Sequence, residues 1–443
     1  MNIDLNWLPH QAPIIDFKAT LHPSKEISSR WFNFPPYHDE PKLWHLSAVV
    51  VPAQVKPSKD IKDENSQEAA GGSSLEFDRA LAKLAGETVE RYTISKNVNL
   101  NLGDLQSWQE LVQQNLCALD PFQLVIGDEY PHKSRRNEKI SWIQGFNLNL
   151  QIPALLPAQL VFVPHIFRDN EAVWRSPVST GAAAHSTLEG ALYGGLCEVV
   201  ERDAFQIAWL RQLRLNRINL TPGDTYFCNL LNQLIEAGER YNLHCELYQL
   251  PCSLPLSVCM AVIWDDTGIG PRCSLGAKCS QSSLTACVGA LEEAYQMRSW
   301  LRYTLDKSGA FSKNKPLDTL LDRSRHWLTD EASEVLKNWT QQFTCSISLS
   351  EMPSELSLGE LVESVIQDGG TPYFVDLTAN SPECLRQLGW HITKVIIPEY
   401  QPLNLTESME DFALPRIDNA SQRLNVEALI PAGQKFRYPH PFL

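Results

Sequence analysis

The stretch STGAAAHSTLEGALYGGLCEVVERDAFQIAWLRQL, residues 179–213, decides how this chain is read. It opens on Ser179, Thr180, Gly181 and three alanines, side chains short enough for the backbone to approach a ligand closely. From Thr187 it becomes rich in Ala and Leu. Leu188, Leu192, Leu196 and Val199 recur in helical register, which predicts one long helix starting directly after the small residues. Ser186 to Glu189 fits a capping box, with Ser186 capping the backbone and Glu189 reaching back to it. A helix start among small residues is an anion site. Glu198 and Glu201, two to three turns further on, share a face with Arg202 and are placed to hold a magnesium ion that bridges phosphates.

The pattern Glu-x-x-Glu-Arg occurs twice more, in ETVERY (87–92) and EAGERY (236–241). Any single copy is most simply an exposed acidic face with an i, i+4 ion pair worth a few tenths of a kcal/mol. In EAGERY the surroundings support that reading: Gly238 weakens the helix, Asn242 ends it and the strand-like CELYQL follows. ETVERY differs. It follows the small residues Gly71, Gly72, Ser73 and Ser74 and lies in LEFDRALAKLAGETVERYTI, whose Ala80, Leu81, Leu84, Ala85 and Thr88 form a buried helical face. Glu87 and Glu90 facing Glu198 and Glu201 would repel strongly without divalent cations. A third helix, GALEEAYQMRSWLR, presents Gln296 and Arg298 on a core-like background of Ala290, Leu291 and Ala294; a guanidinium there suits a phosphate clamp.

Elsewhere, KLWHLSAVVV reads as a strand and QVKPSKDIKDENSQEAAGGSS as a mobile loop. QLVFVPHIF (159–167) reads as a strand and the basic RRNEK (135–139) as a loop. A helix near 225–240, strands in CELYQL, LSVCMAVIW and RCSLGAKC, helical stretches near 331–342 and 358–368, and strands PYFVDLT and HITKVIIP complete an α/β pattern. A coil-like tail runs from Asn404 to PHPFL. The 443 residues are 43% hydrophobic and carry a net charge of −14, which argues against unspecific binding to nucleic acid or an anionic membrane. No apolar run is long enough to span a bilayer and the N-terminus lacks signal-peptide order, so the chain reads as cytoplasmic. Eleven cysteines without a C-x-x-C pair read as reduced, mostly buried thiols.

The block STGAAAHSTLEGALYGGLCEVVERDAF closely resembles the signature of the YcaO family, in which small residues, Asn or Ser, Thr, Glu and Ala precede E-x-x-E-R-D-A. An earlier G-E-x-x-E-R-Y helix of that family is matched by Gly86, Glu87, Glu90, Arg91 and Tyr92, and a later E-A-x-Q-x-R helix by Glu293, Ala294, Gln296 and Arg298. VDLTANSPECLRQLGWHITKVIIPEYQPL resembles the azoline-forming branch. The resemblance implies an α/β (α+β) fold of mixed sheets whose flanking helices enclose a nucleotide site. Residues 1–74 would be an N-terminal region with a mobile loop, 75–403 the catalytic domain and 404–443 a tail ending in PHPFL. It assigns Glu87, Glu90, Glu198 and Glu201 to magnesium and Ser186, Glu189, Arg91, Arg202, Gln296 and Arg298 to ATP, with Gln296 and Arg298 also catalytic.

The implied activity is ATP-dependent cyclodehydration of Cys, Ser or Thr in a ribosomally made precursor peptide, as in bacteriocin maturation, giving thiazoline or oxazoline. Fused members carry an E1-like domain for the leader peptide. About 75 residues before the first helix are too few for one, so a separate E1-like partner is expected. A homodimer and a later-acting flavin dehydrogenase also fit the family. Thioamide formation in the same nucleotide cage is one alternative; a noncatalytic docking subunit is another. Three features depart from the family: Gly190 stands where many members carry a second acid, Lys83 replaces a small residue, and PHPFL keeps only part of a Pro-x-Pro-x-Pro ending.

Overall fold

The computed structural model describes residues 15–51, 69–96, 102–124, 135–174, 177–220, 223–307, 317–349, 356–405 and 415–442. Three sheets organise them. Strands β1 (Ser28–Asn33), β2 (Trp44–Val50) and β3 (Ala69–Ser74) form an antiparallel sheet in that order. The second sheet runs β5-β4-β12-β13-β6, from β4 (Trp142–Asn147), β5 (Ile152–Pro157), β6 (Ala182–His185), β12 (Tyr373–Asp376) and β13 (His391–Ile396). The third runs β10-β9-β8-β7-β11, from β7 (Asn216–Asn219), β8 (Leu243–Leu250), β9 (Ser257–Asp265), β10 (Cys273–Ser280) and β11 (Ser346–Ser348); only β11 lies parallel to its neighbour. This is the mixed α/β architecture that the sequence implied.

Helices α1 (Phe77–Ile94), α2 (Leu188–Arg211), α3 (Tyr226–Glu239), α4 (Ser283–Lys307), α5 (Asp330–Thr340) and α6 (Leu358–Gln367) cover the sheets. On one face of the third sheet, Leu230 and Leu234 of α3 and Ala290 and Leu291 of α4 pack against Ala261 and Ile263. On the other, Phe205 and Trp209 of α2 join Trp339 of α5 and Leu361 of α6 over Tyr248 and Val262. Full burial of side chains of this size contributes about 1.5–3 kcal/mol each. Helix α1 buries Ala80, Leu81, Leu84, Ala85 and Thr88, the face read from its spacing.

Two close approaches fix where α1 and α4 sit. A Cβ at Gly72 of β3 would lie 2.3 Å from the Ala80 carbonyl oxygen of α1. A Cβ at Gly276 of β10 would lie 2.4 Å from the Ala290 carbonyl oxygen of α4. Only glycine lets these helix backbones rest directly on their strands, which brings their side chains to the strand edges. The first contact also explains a correction. AAGGSS read as loop because it lacks β-formers, yet it pairs with β2 from Trp44↔Ser74 to Val49↔Ala69, since a strand lying under a helix needs small residues. The rest of the expected mobile loop, residues 54–68, lies outside the described residues.

Two other expectations change. QLVFVPHIF is not a strand: β5 ends at Pro157, and Ala158–Leu160 is a single 3-10 turn in which the Val161 and Phe162 amides both donate to Ala158 O. Leu160, Val161 and Phe162 are buried in succession, so the apolar run reports a packed turn and has no period of two. The tail is not simply coil, because Pro415–Asp418 and Ala420–Leu424 form two short helices. Arg211 at the end of α2 holds this tail by donating to the carbonyls of Ile417, Asp418 and Ile430. Among the described residues no helix is long and apolar enough to cross a membrane.

β2 and β3 are also joined by a buried pair, His45 Nδ1 and Ser73 Oγ at 2.8 Å. Burial lowers the pKa of His45 to about 4. The folded ring therefore stays neutral while the unfolded chain takes up a proton near pH 6.5, so this contribution is intact above pH 6.5 and lost as pH falls toward 4. The loss is at most about 3 kcal/mol over that window. His45→Asn, which keeps a donor toward Ser73, is expected to lose measurably less stability than wild type in urea melts between pH 7 and pH 4.5.

Candidate functional site

Three helices converge on one cleft, and each brings carboxylates that a neighbouring strand grips by a backbone amide. Gly71 N of β3 donates to Glu87 Oε2 of α1 at 2.7 Å. Gly181 N, just before β6, donates to Glu198 Oε2 of α2 at 3.3 Å. From β10, Cys279 N donates to Glu201 Oε2 and Ala277 N to Glu293 Oε2 of α4, both at 2.8 Å. In each case one oxygen is fixed and the other is left for a second partner. Glu87, Glu90, Glu198 and Glu293 are half-buried and Glu201 is buried, so the cluster lines a cleft and is not sealed into a core.

The charges are incompletely balanced. Burial first, then the charge of Glu198, pushes the Glu90 carboxyl well above its ordinary value. Burial also raises Glu198 and Glu201 and outweighs the cations beside them: Arg202 for Glu198, Lys278 and Arg202 for Glu201. Glu293 is raised likewise. Arg202 stands 3.7 Å from both Glu198 Oε1 and Glu201 Oε1, too far for a hydrogen bond. Arg91 is committed to Glu87 Oε1, with Nε at 2.7 Å and Nη2 at 2.6 Å. Lys394 Nζ donates to Val178 O and Thr180 O, both at 2.7 Å.

This donor set fits magnesium, a hard cation that takes oxygen ligands. Among the described residues no three His, Cys, Asp or Glu side chains stand close enough to enclose one ion. That also suits magnesium with a nucleotide, which is held by one or two carboxylates plus phosphates and seldom by an all-protein cage.

The structure thus brings Glu87, Glu90, Glu198 and Glu201 together with Arg91 and Arg202. Gln296 joins them: its Nε2 lies 2.6 Å from where a Cβ on Gly71 would be, beside the amide that holds Glu87. EAGERY stays apart, with Glu236 and Arg240 side chains 60% and 74% exposed in a loose 3.6 Å pair. Glu293 was missed as a site acid, because the doublet Glu292-Glu293 leaves open which member faces the cleft. Glu292 turns the other way and is neutralised by Arg79 at 2.9 Å and Lys83 at 2.6 Å, which gives Lys83 its role.

Two assignments need correction. The N-cap of α2 is Thr187, whose Oγ1 accepts from Gly190 N at 3.0 Å; Ser186 lies one residue outside the helix and Glu189 is exposed. The shift follows from β6, which keeps the chain extended through His185. Arg298 does not face the carboxylate cleft. It lies two residues beyond Gln296, about 200° around α4, and its guanidinium is held by Glu40 and Asp265. The departure at Gly190 also has a structural counterpart: a Cβ there would fall 2.0 Å from His185 Nδ1, so the imidazole fills the space beside that position.

The tail closes one side of the site. Phe442 is buried against Phe205, and the Arg202 guanidinium lies 3.9 Å from the Phe442 ring centroid. His440 O fixes this end by accepting from Trp327 Nε1 at 2.9 Å and Arg323 Nη1 at 3.1 Å.

A family model described as YcaO cyclodehydratase, ATP- and Mg2+-binding, matches residues 71–401. An uncharacterised protein of Methanothermobacter thermautotrophicus is 21% identical over 372 residues, 81% of this chain and 88% of that one. A heterocyclase solved with substrate and cofactor superposes with a TM-score of 0.72 at 18% identity; it covers 96% of this chain, which spans 56% of that heterocyclase. A YcaO structure from Methanopyrus kandleri, bound with AMPPCP and Mg2+, gives 0.62 at 19% identity, covering 90% of this chain and 94% of its own. The E. coli microcin synthetase McbBCD complex gives 0.57 at 16% identity over 84% and 88% of the two chains. At these identities the likeness is one of fold.

Proposed function

Because this chain belongs to the YcaO cyclodehydratase family, whose members bind ATP and Mg2+, we propose that it converts Cys, Ser or Thr of a ribosomally made precursor peptide into a thiazoline or oxazoline. The observation that carries this reading is the set of four backbone amides, three in strands and one just before β6, holding Glu87, Glu198, Glu201 and Glu293 from three helices around one cleft. In the reaction a side-chain sulfur or oxygen attacks the preceding amide carbon. The attacking thiol or hydroxyl gives up its proton, the amide oxygen takes the γ-phosphoryl group of ATP and leaves as inorganic phosphate, the amide nitrogen gives up its own proton, and ADP and a C=N bond remain. Magnesium, when bound with ATP, neutralises charge on the transferring group.

The chain's own part is placement. The backbone amides fix the carboxylates before ligand arrives, so little reorganisation is left for the reacting complex. Arg202, steadied by the Phe442 ring and in reach of Glu198 and Glu201, would meet phosphate oxygens. Gln296 offers a neutral amide beside Gly71. A separate E1-like protein would deliver the leader peptide, a flavin dehydrogenase would act on the finished ring, and the active unit would be a homodimer.

The test is to incubate protein, leader-binding partner and a Cys-rich precursor with ATP and Mg2+ and weigh the peptide. Loss of one water per ring supports cyclodehydration. Exchange of oxygen for sulfur, with a sulfide donor present, selects thioamide formation. An unchanged peptide despite nucleotide binding makes the chain a docking subunit.

A further inference from the structure

The middle of β10 reads Ala277-Lys278-Cys279, and both flanking amides hold cleft carboxylates. Lys278 points the same way. Its Nζ lies 3.8 Å from Glu201 Oε2, and its stem passes over α4 where Gly289 leaves room: a Cβ there would meet Lys278 Cγ at 2.6 Å. Ala277 N, one residue before it, holds Glu293 and Cys279 N, one residue after it, holds Glu201, so this stretch of β10 sets the ammonium beside two carboxylates. Of the other cations nearby, Arg91 is taken by Glu87, Lys83 by Glu292 and Lys394 by two carbonyls, while Arg202, lying over the Phe442 ring, stands 3.7 Å from Glu198 Oε1 and Glu201 Oε1 and leaves Glu201 Oε2 to Lys278.

We propose that the Lys278 ammonium is a resident cation of the cleft, serving Glu201 and Glu293 in place of a divalent ion, so that this chain takes up fewer divalent ions per nucleotide than its carboxylates could hold. The inference rests on the reading of the cleft as a magnesium and ATP site. A tethered ammonium is present at high local concentration whatever the metal concentration, and it repels an incoming divalent ion at close range. Glu198, gripped from the other sheet by Gly181, and Glu90 on α1 are left to the metal that accompanies ATP.

The test is Mn2+ titration, with free Mn2+ read by electron paramagnetic resonance, in the presence of a non-hydrolysable ATP analogue. Lys278→Met keeps the stem and removes the charge; Lys278→Arg keeps a cation. Lys278→Met is expected to bind one further Mn2+ per chain, or its Mn2+ on the order of tenfold more tightly, while Lys278→Arg matches wild type. In melting curves the metal-free Lys278→Met protein should unfold at lower temperature than wild type and recover with Mg2+. Identical Mn2+ isotherms for wild type and Lys278→Met overturn the proposal while the magnesium reading stands. If neither wild type nor variant binds Mn2+, the magnesium reading itself fails and the proposal falls with it.

Discussion

Glu198→Gln is expected to fold normally and to lose roughly 100-fold or more of ATP-dependent turnover. Glutamine matches the shape of the protonated acid and keeps an oxygen to accept from Gly181 N. Because burial already raises the Glu198 pKa, the metal-free fold loses little when the charge is removed, and relief of repulsion with Glu201 works in its favour. Only the cation is deprived of a ligand. The melting temperature without metal should therefore be unchanged or slightly higher, while the stabilisation that Mg2+ and ATP give wild type disappears. Glu236→Gln has the same chemistry in the same sequence pattern and should behave as wild type in both measurements, because its carboxylate is exposed and faces no cleft. If Glu236→Gln loses turnover as badly as Glu198→Gln, the separation of the three Glu-x-x-Glu-Arg copies is wrong.

That separation was legible in the sequence because the surroundings of each copy are local. Small residues precede ETVERY and EVVERD, whereas EAGERY carries a helix-weakening glycine at the end of its helix, so no tertiary information is needed to sort them. The main α/β alternation was legible for the same reason: apolar faces at the helical period and apolar strand runs are properties of consecutive residues. What escaped depends on contacts between distant segments. AAGGSS looks like a linker until α1 is laid over Gly72, and QLVFVPHIF looks like a strand until Gln159 to Phe162 are found buried in succession around a 3-10 turn. Lys278 lies in an otherwise buried strand, where a lone lysine in CSLGAKCS is a detectable irregularity, but its meaning needs Glu201 from 77 positions earlier in the chain. The choice between Glu292 and Glu293 likewise rests on Arg79 and Lys83, which belong to another helix.

Arg298 shows the same limit most sharply, and its replacement should unfold the protein before it touches catalysis. The motif E-A-x-Q-x-R invites a phosphate-clamping role, yet the side chain is only 3% exposed and its donors are taken. Nε and Nη2 pair with the two Glu40 oxygens at 2.6 and 2.8 Å, Nη2 also meets Asp265 Oδ2 at 2.7 Å, and Nη1 reaches Pro271 O at 3.1 Å. This triad ties the segment between β1 and β2 and the end of β9 to α4. Arg298→Met leaves two buried carboxylates facing each other without a cation, which is expected to cost about 3–5 kcal/mol of unfolding free energy in urea titrations. Arg298→Lys should recover only part of that, since an ammonium cannot reproduce the bidentate grip on Glu40. Nucleotide affinity of whatever fraction remains folded should match wild type, and combining Arg298→Met with Glu40→Met and Asp265→Asn should restore much of the stability by removing the stranded charges. A different pattern, wild-type stability with nucleotide binding lost, would return Arg298 to the nucleotide site and require the triad to open when ATP arrives.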